Sequence, residues 1–508
     1  MEGSIIVPGL TDAHAHILQY GFKMQLMLDG CKSVQEVIDR VETFVKATPT
    51  VMNDKDVWIQ GMGWDQTKWE GQRFPVADDL ETPLLKGRPI SLLRIDVHAS
   101  WVSHKVIQLT KEKGDIPTHI DGGFVMRDSA GEPTGVFVDK AMALIPRPPV
   151  TDEERGQHFK LTMKDALAVG LTSIHDAAVD MEDMHFFIKY ADMLTLNAFD
   201  SQAAAGQIRL YLMAMLPSNF EDVGSRDIPR LINYGKHGRL TLRSFKLFLD
   251  GALGSWGAAL LEPYSDKPEE SGLVMYTDEK VKHIVRELWN SGWQVNSHGI
   301  GDRANQMILD AYESILRNES TPSNAADIWR PRIEHAQIMT QEDLKRTGDL
   351  KVIPSVQPTH ATSDMWYAEQ RLGKYRIKGA YAYRTLLHGS SSKILPIGSD
   401  FPVEGVNPLL GFYAAVARSA EDGSSPHGPA GWYASEALTR AEALRGMTYA
   451  PAYASFSEHD LGSLEKGKKA DFVVLDRNIM NESLPVADIL RAKVKATVID
   501  GRVAYGSL

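Results

Sequence analysis

The feature that most constrains this chain is a rhythm. A short apolar stretch, a loop and an amphipathic helical pattern recur along it. Stretches 5–16, 171–176, 207–216, 240–250, 294–298, 331–335, 351–357 and 393–400 read as strands. Helical patterns fall between most of them, for example at 278–291, 302–316, 341–347 and 381–387. Apolar strands that alternate with helices are buried on both faces, and that pattern belongs to parallel β/α units. About eight units predict an α/β fold of the (β/α)8 TIM-like barrel type. On rhythm alone a doubly wound sheet stays open.

Two segments break the rhythm. Residues from about 17 to 160 are too long for one crossover helix, so an insertion is expected after the first strand. Within it, 57–63 and 89–97 read as strands, and 123–139 as a hairpin turned by Asp128-Ser129-Ala130-Gly131. The tail 461–508 carries β-prone runs at 470–475 and 494–499, with Asp500-Gly501 as a tight turn. The expected organisation is therefore a barrel over 12–460 and a small β-sandwich-type accessory domain. The accessory domain would be built from 461–508 and a remnant at 1–11. Because only Met1–Thr11 precede Asp12, half of that domain is expected to be short, with exposed strand edges.

A chain of 508 residues can bury both parts. The net charge of -11 opposes general nucleic-acid binding, because phosphates are repelled. No apolar run reaches the roughly 18 residues of a membrane span, and no signal peptide is visible. The one cysteine, Cys31, allows no intramolecular disulfide and reads as buried filler. Together these features lead to the expectation of a cytoplasmic protein without nucleic-acid or membrane partners.

The strongest local signal is Pro8-Gly9-Leu10-Thr11-Asp12-Ala13-His14-Ala15-His16. Strand side chains alternate, so Asp12, His14 and His16 share a face, and two imidazoles there can grip one metal ion. The competing reading is a polar strand end with ordinary histidines. Asp12 is placed to orient a ligand. His298, His335 and Asp400 each end a strand candidate. Singly, each also reads as a core or capping residue. In a barrel all strand C-termini meet at one mouth, so these residues converge, and their nitrogen and oxygen donors suit zinc. Lys246 sits in an apolar strand, where burying a charge is costly. It reads either as salt-bridged, with Asp250 as the candidate partner, or as carboxylated by CO2 to an anionic carbamate able to bridge two cations.

These motifs together resemble the amidohydrolase superfamily, in the family-three branch that includes N-substituted formamide deformylase and YtcJ-like proteins. The resemblance runs over nearly the whole chain. Besides the His14/His16 strand it rests on Phe245-Lys246-Leu247-Phe248-Leu249-Asp250-Gly251, Ser297-His298-Gly299-Ile300-Gly301-Asp302, Arg332-Ile333-Glu334-His335-Ala336 and Gly398-Ser399-Asp400-Phe401-Pro402. Gly61-Met62-Gly63-Trp64-Asp65 and Leu464-Glu465-Lys466-Gly467 in the tail add to it. The resemblance implies that His14, His16 and Asp400 hold one divalent ion, His298 and His335 a second, and a carbamate on Lys246 bridges them. One or two zinc ions are expected.

The implied activity is hydrolysis of a non-peptide C–N bond, first an exocyclic N-acyl or N-formyl amide. Water activated by the metal would attack, with Asp400 as general base. A cyclic amidase or an aminohydrolase is the alternative, and a non-catalytic regulator or scaffold the alternative of another class. Candidate contacts to a small amide substrate are Trp64, Asp65 and His98 of the insertion, His175 of the second strand, and Gln357 and Asp364 after the seventh. Trp69, Asp96, Trp366 and Arg303 are weaker candidates. Core packing accounts equally for the tryptophans. A homodimer is expected for a barrel of this kind, with no segment that specifies the interface.

Overall fold

The computed structural model describes residues 3–120, 122–193, 208–216, 228–235 and 237–508. Met1 and Glu2 of the expected remnant, and Gln207 at the start of an expected strand, lie outside them. The chain divides into two compact units, Met1–Ile17 with Phe159–Leu508, and Leu18–His158.

The larger unit holds seven parallel strands in the order Ile353–Ser355, Arg332–His335, Gln294–Gly299, Leu240–Phe248, Arg209–Met215, Leu171–Val179 and Leu10–Ala15. The stretch 393–400, expected as a strand, makes a single ladder bridge, Ile397 to Val356. Its Pro396 has no N–H to give to a ladder. Even so it closes the ring. Gly398 N donates to Val356 O at 3.0 Å on one side, and on the other Asp400 N donates to His14 O at 2.7 Å. This is the TIM-like barrel expected from the rhythm. Leu231–Tyr234, not anticipated from sequence, pairs antiparallel with Leu240–Phe248 outside the ring.

The helices between strands have readable causes. Asp278–Asn290 starts where Thr277 accepts a hydrogen bond from Lys280 N, carries Asp278 and Glu279 in its first turn, and buries Val281, Ile284, Val285 and Leu288. Those positions form one helical stripe, and the acids complement the helix dipole. Gln341–Asp349 is capped in the same way by Thr340.

The run 5–16 is two strands in two sheets, not one. Ile5–Pro8 pairs antiparallel with Phe472–Leu475, and Leu10–Ala15 belongs to the barrel. Gly9 makes the crossing: its N–H donates to Asp471 O, and a Cβ there would stand 2.3 Å from Thr172 Oγ1. The small sheet runs Ile5–Pro8, Phe472–Leu475, Val494–Ile499, Arg502–Gly506, all antiparallel. Asp500 and Gly501 turn its last hairpin, both at positive φ (50° and 72°), as a two-residue turn matched to strand twist requires. Arg209 ties this sheet to the barrel through Asp471 at 2.8 Å and Asp500 at 2.6 Å.

The second unit contains a five-stranded sheet in the order Ile59–Trp64, Ile90–Arg94, Ala99–Val102, Pro133–Asp139, Gly123–Arg127; the first pair is parallel and the rest antiparallel. Val37, Val41 and Val45 of helix Val34–Ala47 pack with Ile59, Leu92, Trp64 and Trp101 to make its core. No helix among the described residues is long and apolar enough to cross a membrane.

Candidate metal centre

His14 and His16 end the first barrel strand. His14 is fully buried, and its Nδ1 lies 2.6 Å from Glu334 Oε2. Glu334 in turn pairs with Arg332 (2.9 Å) and accepts from Asn296 Nδ2 (2.8 Å). With Nδ1–H donating to Glu334, the lone pair of His14 is left on Nε2. That atom stands 3.5 Å from Asp400 Oδ1 and 3.4 Å from Lys246 Nζ. His16 Nε2 is 2.9 Å from the same Asp400 oxygen. Thus three strand ends remote in sequence meet at one point.

His335 closes the group from the sixth strand. Its ring centroid is 4.7 Å from that of His14 and 4.4 Å from that of His298. His335 (φ 72°) and Asp400 (φ 62°) both have left-handed backbone, a conformation that costs a non-glycine residue about 1–3 kcal/mol and clusters at functional sites. Asp250 fixes the loop after His298: it accepts from Ile300 N (3.1 Å), Gly301 N (2.7 Å) and Ala259 N (2.9 Å), with its Oδ1 3.3 Å from His298 Nε2. Asp250 is therefore spent on the histidine loop, and Lys246 faces His14 instead.

The electrostatics favour deprotonated donors. Burial, then the neighbouring Lys246, lowers the pKa of His14 to about 4. Burial first, with His298 and His14 next, pushes His335 well below its usual value. Burial also lowers Lys246 to about 8, so a fraction of its amine is neutral at neutral pH. Burial alone would raise Glu334 and Asp400. In Glu334 the opposing effect of Arg332 and His14 wins, and in Asp400 that of His14 and His16, so both are held well below the carboxylate range.

Among the described residues, several buried nitrogens here have no hydrogen-bond partner: His16 Nδ1, His335 Nδ1 and His360 Nε2. Each such group costs about 1–3 kcal/mol when left unsatisfied. A divalent ion satisfies imidazole nitrogen and carboxylate oxygen donors together, so the donor set fits zinc or a similar ion. Among the described residues, two triads have donor atoms all within 4.8 Å of one another, His14/His16/Asp400 and His335/His360/Asp400.

The structure brings His14, His16, Lys246, His298, His335 and Asp400 together, and adds two residues the sequence reading passed over. Glu334 was legible only as the neighbour of His335. His360 lies not at a strand end but on helix Pro358–Asp364; its signal was Pro358, a helix-starting residue directly after a strand. Asp12, expected to orient a ligand, touches His14 through the backbone and not through the ring. Its carboxylate accepts from the backbone N of His14 and Ser399 and from Ser399 Oγ (2.6 Å), joining the first strand to the closing one.

The remaining candidates have defined surroundings. His175 accepts from Arg332 Nη1 at 3.3 Å inside the barrel. Gln357 is buried and donates weakly to Ser355 O. Asp364 accepts from Tyr381 (2.6 Å), Gln337 (3.2 Å) and Tyr367. Trp366 is half exposed. In the second unit, Trp64 is fully buried and donates to Leu92 O, and Trp69 donates to Cys31 O. Asp65 and Asp96 both pair with Arg94, and His98 Nδ1 lies 2.7 Å from Asp139 Oδ1.

The profile of the amidohydrolase family matches residues 1–505. The chain belongs to that family. This amidohydrolase is 30% identical to the putative amidohydrolase YtcJ of Bacillus subtilis, over 99% of this chain and 90% of the relative. It is 33% identical to the protein LONG AFTER FAR-RED 3 of Arabidopsis thaliana (99% and 83% covered), and 26% identical to the N-substituted formamide deformylase of Arthrobacter pascens (99% and 89%). Among solved structures it is similar to a metal-dependent hydrolase of Pyrococcus horikoshii, with a TM-score of 0.72 and 26% identity over 94% of this chain and 87% of that one. Family and fold together support a hydrolase.

Proposed function

We propose that this chain is a metal-dependent hydrolase that cleaves a non-peptide C–N bond, first an exocyclic N-acyl or N-formyl amide. The observation that carries the reading is the convergence of His14, His16 and Asp400 on one point, with Nδ1 of His14 tied to Glu334. The formamide deformylase among the relatives supports the choice of substrate class.

His14, His16 and Asp400 would hold one ion, His298 and His335 a second, with carboxylated Lys246 between them. When bound, such an ion polarises the scissile carbonyl and makes water acidic enough to attack at neutral pH. Asp400, held well below the usual carboxylate range and so ionised at neutral pH, is the general base. It takes one proton from the attacking water and passes it to the leaving nitrogen as the C–N bond breaks. Water and amide become a carboxylic acid and a free amine.

Two measurements test this. Asp400→Asn should lower kcat by about 10²–10⁴-fold; full activity at unchanged metal content would remove the base role. A panel of N-formyl and N-acyl amines should release free amine. Turnover of ring amides alone would make the protein a cyclic amidase, and ammonia release an aminohydrolase. No turnover from a chain that binds no metal would favour a scaffold.

A further inference from the structure

We propose that His360 is a further metal ligand, acting with His335 and Asp400, and that the Asp400 carboxylate spans two donor sets, one oxygen to each. The inference rests on the metal-dependent reading above and concerns a residue outside its ligand set.

His360 sits in the first turn of helix Pro358–Asp364, just after the barrel strand Ile353–Ser355. Its ring stacks on His335 at 5.8 Å between centroids and 11° between planes. Its Nε2 lies 3.6 Å from Asp400 Oδ2, whereas His14 and His16 face Oδ1 at 3.5 and 2.9 Å. Two ligands of one tetrahedral zinc stand about 3.3 Å apart, given metal–nitrogen bonds of about 2.0–2.1 Å. The His360 separation matches that scale as the other two do. It is too long for a charge-assisted hydrogen bond, which would close to about 2.8 Å.

His360 Nε2 is buried without a hydrogen-bond partner. Asp364 and Glu404 also interact electrostatically with His360, and both are engaged elsewhere. Asp364 accepts from Tyr381 and Gln337, and Glu404 accepts from Ser363 Oγ at 2.7 Å. The nitrogen is left facing His335 and Asp400.

The test uses the full chain as wild type, His360→Ala and His360→Gln, each loaded with cobalt(II) and bicarbonate. Ions per chain, the rate of release to a chelator and the visible cobalt spectrum are read. His360→Ala is expected to lose an equivalent or release it at least about tenfold faster, with an altered spectrum. His360→Gln, whose amide oxygen reaches the same place as a weaker ligand, is expected to fall between and guards against a folding defect in the alanine variant. Equal content, release and spectrum in all three overturn the proposal, even where kcat falls, and would make His360 a substrate-handling residue. A wild type that takes up no ion overturns the metal-dependent reading itself, so the two failures are distinct.

Discussion

Glu334 Oε2 lies 2.6 Å from His14 Nδ1, with both side chains fully buried. This contact links the interior of the barrel to its mouth. Arg332, also fully buried, pairs with Glu334 and donates to Ala13 O and Ser355 Oγ. A chain of charges therefore sets the tautomer and angle of the first candidate ligand. Glu334→Gln should weaken metal binding by about 10–100-fold, read by chelator competition. Glu334→Ala leaves Arg332 buried without its anion and should also destabilise the fold by about 3–5 kcal/mol in a denaturant titration. Unchanged metal affinity in Glu334→Gln would show that the contact does not orient a ligand.

Lys246 has its pKa lowered to about 8 by burial. Only a neutral amine reacts with CO2, and a group with that pKa is about one-tenth neutral at pH 7, against less than about 0.1% for an ordinary lysine. Reconstitution of metal-free protein with zinc should therefore accelerate with added bicarbonate and with pH up to about 8. A carbamate signal should appear in the 13C NMR spectrum after loading with labelled bicarbonate. Lys246→Met should show neither effect.

In the metal-free protein three buried histidines should each withdraw stability as pH falls from about 6.5 towards 4. His14 has a folded pKa of about 4 against 6.5 unfolded, and His175 and His335 are lowered well below 6.5, all chiefly by burial. In that window the unfolded chain binds more protons, so stability rises with pH by about 1.4 kcal/mol per unit for each histidine. Asp12 works the other way. Burial raises its pKa to about 6, and its contribution is lost as pH rises towards that value. Asp29, Asp176, Asp302, Asp364 and Glu404, also raised by burial, act in the same sense as Asp12, so the histidine contribution is read by difference in a variant. His175→Leu removes one of the three outside the candidate ligands, and should flatten the curve of stability against pH in chelator. An unchanged slope would mean His175 is protonated in the folded state.

Arg209 reaches Asp471 through Nε and Nη2, at 2.8 and 3.2 Å, and Asp471 is nearly buried. Arg209→Met should cost about 3–5 kcal/mol, because it strands that carboxylate where the small sheet meets the barrel. Adding Asp471→Asn should recover part of the loss in a double-mutant cycle.

Most of the barrel was legible because a parallel strand buried on both faces reads as an apolar run, whatever its neighbours. The limits were local. The run 5–16 looked like one strand because the apolar stretch Ile5–Val7 leads, across Pro8-Gly9, into the alternating Asp12-Ala13-His14-Ala15-His16. The strand pairings show the change of sheet, and Pro8-Gly9 was its signal in the sequence. The closing stretch 393–400 was read as a full strand, yet it pairs by one bridge and a few hydrogen bonds. The ligand candidates stood out because His and Asp at strand ends share a mouth by topology. Glu334 stood in the quoted motif but was overshadowed by His335. His360 was missed because helix residues carry no such positional rule. Asp12, expected to orient a ligand, holds His14 by its backbone N–H rather than by its ring, and its other bonds go to N–H and O–H of Ser399.

The most direct test of the account is elemental analysis of purified protein, per chain, without added metal. It predicts one or two equivalents of a divalent ion, zinc first, with two making a carbamate bridge at Lys246 the expected arrangement. Essentially no metal, persisting after incubation with zinc and bicarbonate, would contradict it.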